Sequence, residues 1–151
     1  MEYEEIIAGF QALQAPDFDP MNVDARGSER LWELTDALMS VPRPERAIPE
    51  LFRVMERMPD TDLGSPGPLV HTLEAFNGYE IELMHSVRRV PSLLSVWMIN
   101  RILNTDVPTD VRRSYMSLLS EAAIRPDVPK AVRDDAHHFL ELQTRKHGEI
   151  V

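Results

Sequence analysis

Three short stretches hold the residue types that chemistry uses. RDDAHH, Arg133 to His138, places a guanidinium, two carboxylates and two imidazoles within one segment. On a helix Asp134 and His138 fall one turn apart, as do His137 and Glu141, a spacing at which two side chains could share a metal ion. A stable site takes three or four converging ligands with a supporting shell, which one helix cannot supply. The segment reads as charged side chains on an exposed face. DTDLGS, Asp60 to Ser65, opens like a calcium loop. Its glycine comes one place early, and His71 stands where the loop needs a bidentate Glu. There is no phosphate-cradling glycine loop, no Gly-x-Ser-x-Gly elbow and no His-Glu-x-x-His. No catalytic residue, metal or cofactor is therefore assigned.

The third stretch is SVWMINRILN, Ser95 to Asn104. At about 100° per residue, Trp97, Asn100, Arg101 and Asn104 share one stripe of a helix. Leu93, Leu94, Val96, Met98, Ile99, Ile102 and Leu103 surround it, as on a central helix with neighbours on several sides. An arginine and two asparagines there need partners, because unpaired burial costs several kcal/mol. Glu74, Glu80 and Glu82, just upstream, are the available acids. Two readings follow. In one, Arg101 pairs with an acid and the asparagines cap neighbouring backbone. In the other, the stripe faces a partner, since Trp and Arg are the types enriched at binding hot spots.

The elements that must position this stripe are helical, and no convincing strand alternation occurs. Tyr3–Gln14 brings Tyr3, Ile6, Phe10 and Leu13 to one face, and APDFDPMNVDARG then interrupts it with two prolines. A second helix is expected from Ser28 as N-cap, with Leu31, Leu34 and Leu38 inward and Trp32 nearby. A third follows Pro44, with Ile48, Leu51, Phe52 and Met55 inward. On it Arg46, Glu50, Arg53 and Arg57 form a ladder that reads as a solvated, weakly ion-paired face. PDTDLGSPGP, Pro59 to Pro68, is expected to be an exposed loop within a single domain spanning 1–151. A fourth helix is expected over Leu69–Val87 and a fifth over Pro91–Asn104, with a sixth after Pro108 and a seventh after Pro129.

Val41-Pro42, Val90-Pro91, Val107-Pro108 and Val128-Pro129 mark helix starts, where the N–H that proline lacks would have no partner. VPTDVRRSYMSLL and VPKAVRDDAHHFL also align at one constant offset, pairing Val111 with Val132, Arg112 with Arg133 and Leu119 with Leu140. The expected fold is all-α, about seven helices, with hairpins stacked as a HEAT- or armadillo-like α-solenoid or as an irregular bundle.

The net charge is −9 with a pI near 5.0. That argues against a nucleic-acid-binding module, which needs a positive footprint, and suits a basic protein partner. Residues 1–24 hold Glu2, Glu4, Glu5, Asp17, Asp19 and Asp24 with no Lys or Arg, making this segment a second candidate contact. No apolar run reaches the roughly 18 residues of a membrane span, and MEYEEII lacks the basic start of a signal peptide. A cytoplasmic location is expected.

Two resemblances bear on function. GYEIELMHSVRRVPSLLSVWMINRILN, Gly78 to Asn104, resembles a segment of the small acidic all-helical immunity proteins of bacterial polymorphic-toxin and contact-dependent growth inhibition systems. The likeness covers about residues 66–104. It implies a non-enzymatic inhibitor that neutralises a cognate toxin domain, commonly a nuclease, by covering its active site or blocking its substrate path. On the chain's own residues, the partner-binding candidates are Trp97, Asn100, Arg101 and Asn104 with Glu74 and Glu82. A general helical scaffold or adaptor for a host protein is the alternative. Arg133-x4-His138 is similar to the minimal motif of HEPN-type ribonucleases, which implies Arg133 and His138 as a catalytic pair with Asp134 as the polar neighbour of the Arg. Fourteen Arg and five His give about one such match by chance. With Val132, Ala136, Phe139 and Leu140 inward, His138 points away from the core, so this is the third reading.

Overall fold

The computed structural model describes residues 1–147. It is all-α: eight helices and two short 3-10 turns, with no strand among the described residues. The helices are α1 (Tyr3–Ala12), α2 (Gly27–Leu38), α3 (Ile48–Arg57), α4 (Gly67–Glu74), α5 (Tyr79–Arg89), α6 (Leu93–Leu103), α7 (Thr109–Ile124) and α8 (Lys130–His147).

The first departure from expectation lies between α4 and α5. The single helix expected over Leu69–Val87 is broken at Gly78, which adopts φ +83°, a conformation that L side chains rarely tolerate. Phe76 and Tyr79 on either side of the break are buried and pin the turn to the core. The second departure is at α2. Gly27 is already helical and Ser28 makes no capping hydrogen bond; Arg26 holds the cap position. Gly27 packs so closely on the preceding 3-10 turn that a Cβ there would lie 2.6 Å from the Asp17 carbonyl oxygen. By contrast, α6 starts with a full capping box. Ser92 Oγ accepts from the Ser95 amide at 3.0 Å, and Ser95 Oγ accepts from the Ser92 amide at 2.9 Å.

One contiguous core runs through the helices, from Ile6 and Phe10 through Phe52, Leu69, Leu83 and Ile99 to Ala136. Trp32, expected near it, is half exposed instead. In the Pro59–Pro68 segment Leu63 is buried, and the Pro59 carbonyl accepts from the Leu93 amide at 2.8 Å, so the loop is tied down at the start of α6. The arginine ladder, which the structure divides between the 3-10 turn Pro44–Ala47 and α3, is also more than a solvated face. Arg57 Nη2 donates to the Phe10 carbonyl at 2.9 Å, satisfying the C-terminal end of α1, and the Arg46 guanidinium lies 3.7 Å from the Tyr3 ring centroid.

The packing has an order. Each of α1, α3, α5 and α7 touches the next in that series, while α2 packs on α4 and α6 on α8. The most extensive contact joins α7 to α8, the two helices related by the sequence offset. In addition α6 touches α3, α5, α7 and α8, which puts it at the centre of the second half.

Candidate functional site

Because α6 has neighbours on opposite sides, its polar stripe is divided. Asn100 and Arg101 sit about 100° apart on the helix, and each meets a different element. Asn100 is buried against α8, where its Oδ1 accepts from Gln143 Nε2 at 2.7 Å. The same Nε2 donates to Asn104 Oδ1 at 2.9 Å, and Lys146 Nζ donates to that oxygen at 2.9 Å. The asparagines therefore accept from side chains of α8 and do not cap backbone. Gln143 is fully buried, and its Oε1 has no hydrogen-bond partner among the described residues. Its position continues the inward series Val132, Ala136 and Leu140. A glutamine on an otherwise apolar frame is the available signal, but its partners lie 39 and 43 residues away.

Arg101 turns the other way. Its Nε and Nη2 donate to the two carboxylate oxygens of Glu74 at 2.9 and 3.0 Å, a bidentate pair that raises the Arg101 pKa against the opposing effect of burial. Its guanidinium carbon also lies 5.0 Å from the Trp97 ring centroid. Both partners of the ion pair remain partly exposed, which keeps its contribution to stability near or below about 1 kcal/mol.

The Gly78 break brings the end of α4 and the start of α5 together at this point. Glu74, Tyr79, Glu80, Arg101, Ile102, Val111 and Tyr115 line a cleft of about 580 Å³ on α4, α5, α6 and α7. Tyr79 is 8% exposed and Tyr115 3%. Burial, reinforced by the negative charge of Glu80, pushes both phenols up to about 12. Trp97 opens onto a separate cleft with Asp62, Leu63, Leu94 and Asp135.

Glu82 does not join this site. It accepts from Arg89 Nη2 at 2.9 Å, and Arg89 also grips Glu56 of α3 through Nε at 3.2 Å and Nη2 at 3.0 Å. Ser86 Oγ donates to Glu56 at 2.8 Å. These bonds clamp α3 to α5, and the two carboxylates push the Arg89 pKa up. Of the six candidate residues, Arg101, Glu74 and Asn104 thus reach the cleft, while Trp97, Asn100 and Glu82 do not. Glu80, Tyr79 and Tyr115 belong to it and were not singled out from sequence as contacts.

Elsewhere, Lys130 pairs with Asp134 at 2.7 Å and His137 with Glu141 at 3.1 Å on the open face of α8. His138 is exposed, whereas Arg133 is half buried with its Nε unpartnered among the described residues, so the two present different faces. No group of three or more acidic or histidine side chains placed to hold a metal ion occurs among the described residues. Nor is any helix there long and apolar enough to cross a membrane. At the N-terminal side, Met21 and Val23 stand almost fully exposed in a loop flanked by Asp19 and Asp24. Comparison of the chain with family models, with curated proteins and with solved structures finds no match.

Proposed function

We propose that this chain is a cytoplasmic, non-enzymatic immunity protein that binds one bacterial toxin domain, a nuclease, and blocks its active site or substrate path. The observation that carries the reading is the coincidence of two features. The segment that resembles immunity proteins, Gly78–Asn104, is the segment that forms α5 and α6, and it supplies Tyr79, Glu80, Arg101, Ile102 and Asn104 to the cleft, which Glu74 of α4 and Tyr115 of α7 help to line. We further propose that the ordered packing of α1, α3, α5 and α7 is that of a HEAT-like solenoid. The contact surface would then combine the cleft with the exposed acidic loop around Met21 and Val23. A net charge of −9 supports fast encounter with a basic nucleic-acid-cutting domain.

The test begins with the reading frames beside the gene. A large secreted protein ending in a small variable domain is expected directly upstream. Co-expression of that domain with this chain should restore growth that the domain alone abolishes. Growth arrest in the presence of both proteins would sink the reading. Several micromolar host partners and no single tight one would instead establish the adaptor alternative.

A further inference from the structure

The α4–α7 cleft holds a combination that its own fold does not use. Arg101 has its Nε and Nη2 occupied by Glu74. Glu80, on the first turn of α5, forms no ion pair among the described residues. Tyr79 and Tyr115 are each more than nine-tenths buried, yet neither hydroxyl has a hydrogen-bond partner among the described residues. Their hydroxyls are not sealed from solvent in the way that Gln143 Oε1 is, so they open on the cleft they line. Ile102, Val107 and Val111 form an apolar part of the remaining wall, beside Asn104 and Thr105.

We propose that this cleft seats one arginine side chain of the partner, with the guanidinium held by the Glu80 carboxylate and by the hydroxyl oxygens of Tyr79 and Tyr115. The methylene stem would lie on Ile102, Val107 and Val111, as long basic side chains cover apolar surface while keeping the head polar. Charge decides between cation and anion. Glu74 neutralises Arg101, which leaves Glu80 as the uncompensated charge, so an anion would meet repulsion and have to displace Glu74. Donor number decides between the two basic residues. Two carboxylate oxygens and two phenol oxygens offer four acceptors. Guanidinium brings five N–H donors in a planar fork and can stack on a ring, whereas an ammonium brings three. An arginine entering a desolvated pocket beside aromatic rings is also the composition of a binding hot spot.

The partner as the source of this arginine rests on the toxin-binding reading; the chemistry of the cleft can be tested without it. The probe is Nα-acetyl-arginine methyl ester, titrated into the full chain while the tyrosine ring resonances are followed by NMR. The expected result is a saturable shift of Tyr79 and Tyr115 that the lysine analogue reproduces only weakly and the norleucine analogue not at all. E80Q and Y115F should each weaken binding about tenfold, the size of one lost charge-assisted hydrogen bond, with melting curves confirming that both variants fold. Absence of a saturable shift, equal binding of the norleucine analogue, or unchanged affinity in E80Q and Y115F would each overturn the proposal. Rescue from the toxin combined with no arginine binding removes the cleft and keeps the function. Arginine binding without rescue does the reverse.

Discussion

At the scale of single residues, Gln143 contributes most of the unexpected order. One amide nitrogen serves both Asn100 and Asn104, so its removal strands the buried Asn100 acceptor and leaves Asn104 with Lys146 alone. Q143A should lower unfolding free energy by about 1–3 kcal/mol, the range for stranding a buried polar group. A double-mutant cycle with N100A should return a coupling of at least about 0.5 kcal/mol, and strict additivity would show that the hydrogen bond contributes nothing. The sequence made the polarity of the stripe visible but not its partner. Periodicity places residues on faces within one helix and carries no information about which distant helix covers a face. The same limit hid the fate of Glu82. Glu56 and Arg89 are separated by 33 positions, and nothing local marks them as a pair.

At the scale of elements, the break at Gly78 sets the shape of the cleft. An uninterrupted helix from α4 into α5 would carry Tyr79 and Glu80 along one axis with Glu74 and would lose the corner. G78A tests the positive φ alone, because a Cβ there meets nothing within 4 Å. It should cost about 1–2 kcal/mol and should shift the tyrosine resonances of the cleft. G27A tests the opposite case, close approach to a backbone carbonyl without a positive φ. It should destabilise by a similar or larger amount, measured by chemical denaturation, while leaving those resonances in place. Asn77-Gly78 is a turn signal in the sequence. The apolar periodicity on both sides masks it, because Phe76 and Tyr79 are both inward and the pattern continues through the interruption. Helix identity was legible from period; helix continuity was not.

At the scale of the whole molecule, titration links the cleft to stability. Both buried phenols hold their protons up to about 12, whereas in the unfolded chain they release them near 10. The folded state thus binds more protons between these values, and stability present below pH 10 should be lost progressively as pH rises towards 12. Melting temperature against pH measures this, and Y115F should reduce the slope. At the acid end, Arg125 holds the exposed Asp127 carboxylate below its ordinary value, so its small contribution persists at neutral pH and fades as pH falls through that lowered value. If the chain meets the basic partner proposed above, net charge speeds the encounter, and association should slow as salt rises. Unchanged association rates between low and physiological salt would contradict this. At this scale the all-α class was legible from sequence. The constant offset of the last two units picked out α7 and α8, which pack together more extensively than any other pair.

The seam between α6 and α8 also has a consequence in time. A ribosome making about 5–20 residues per second needs roughly 2–9 seconds to go from Asn100 to Gln143, its partner 43 positions later. During that interval α1 to α5 can settle on one another, while the central helix presents an unfinished polar edge beside a large apolar one. The docking of α8 onto α6 therefore comes after the helices before it have had seconds to pack. Nascent chains stalled before residue 143 should be bound by chaperones and cut readily by proteases at α6.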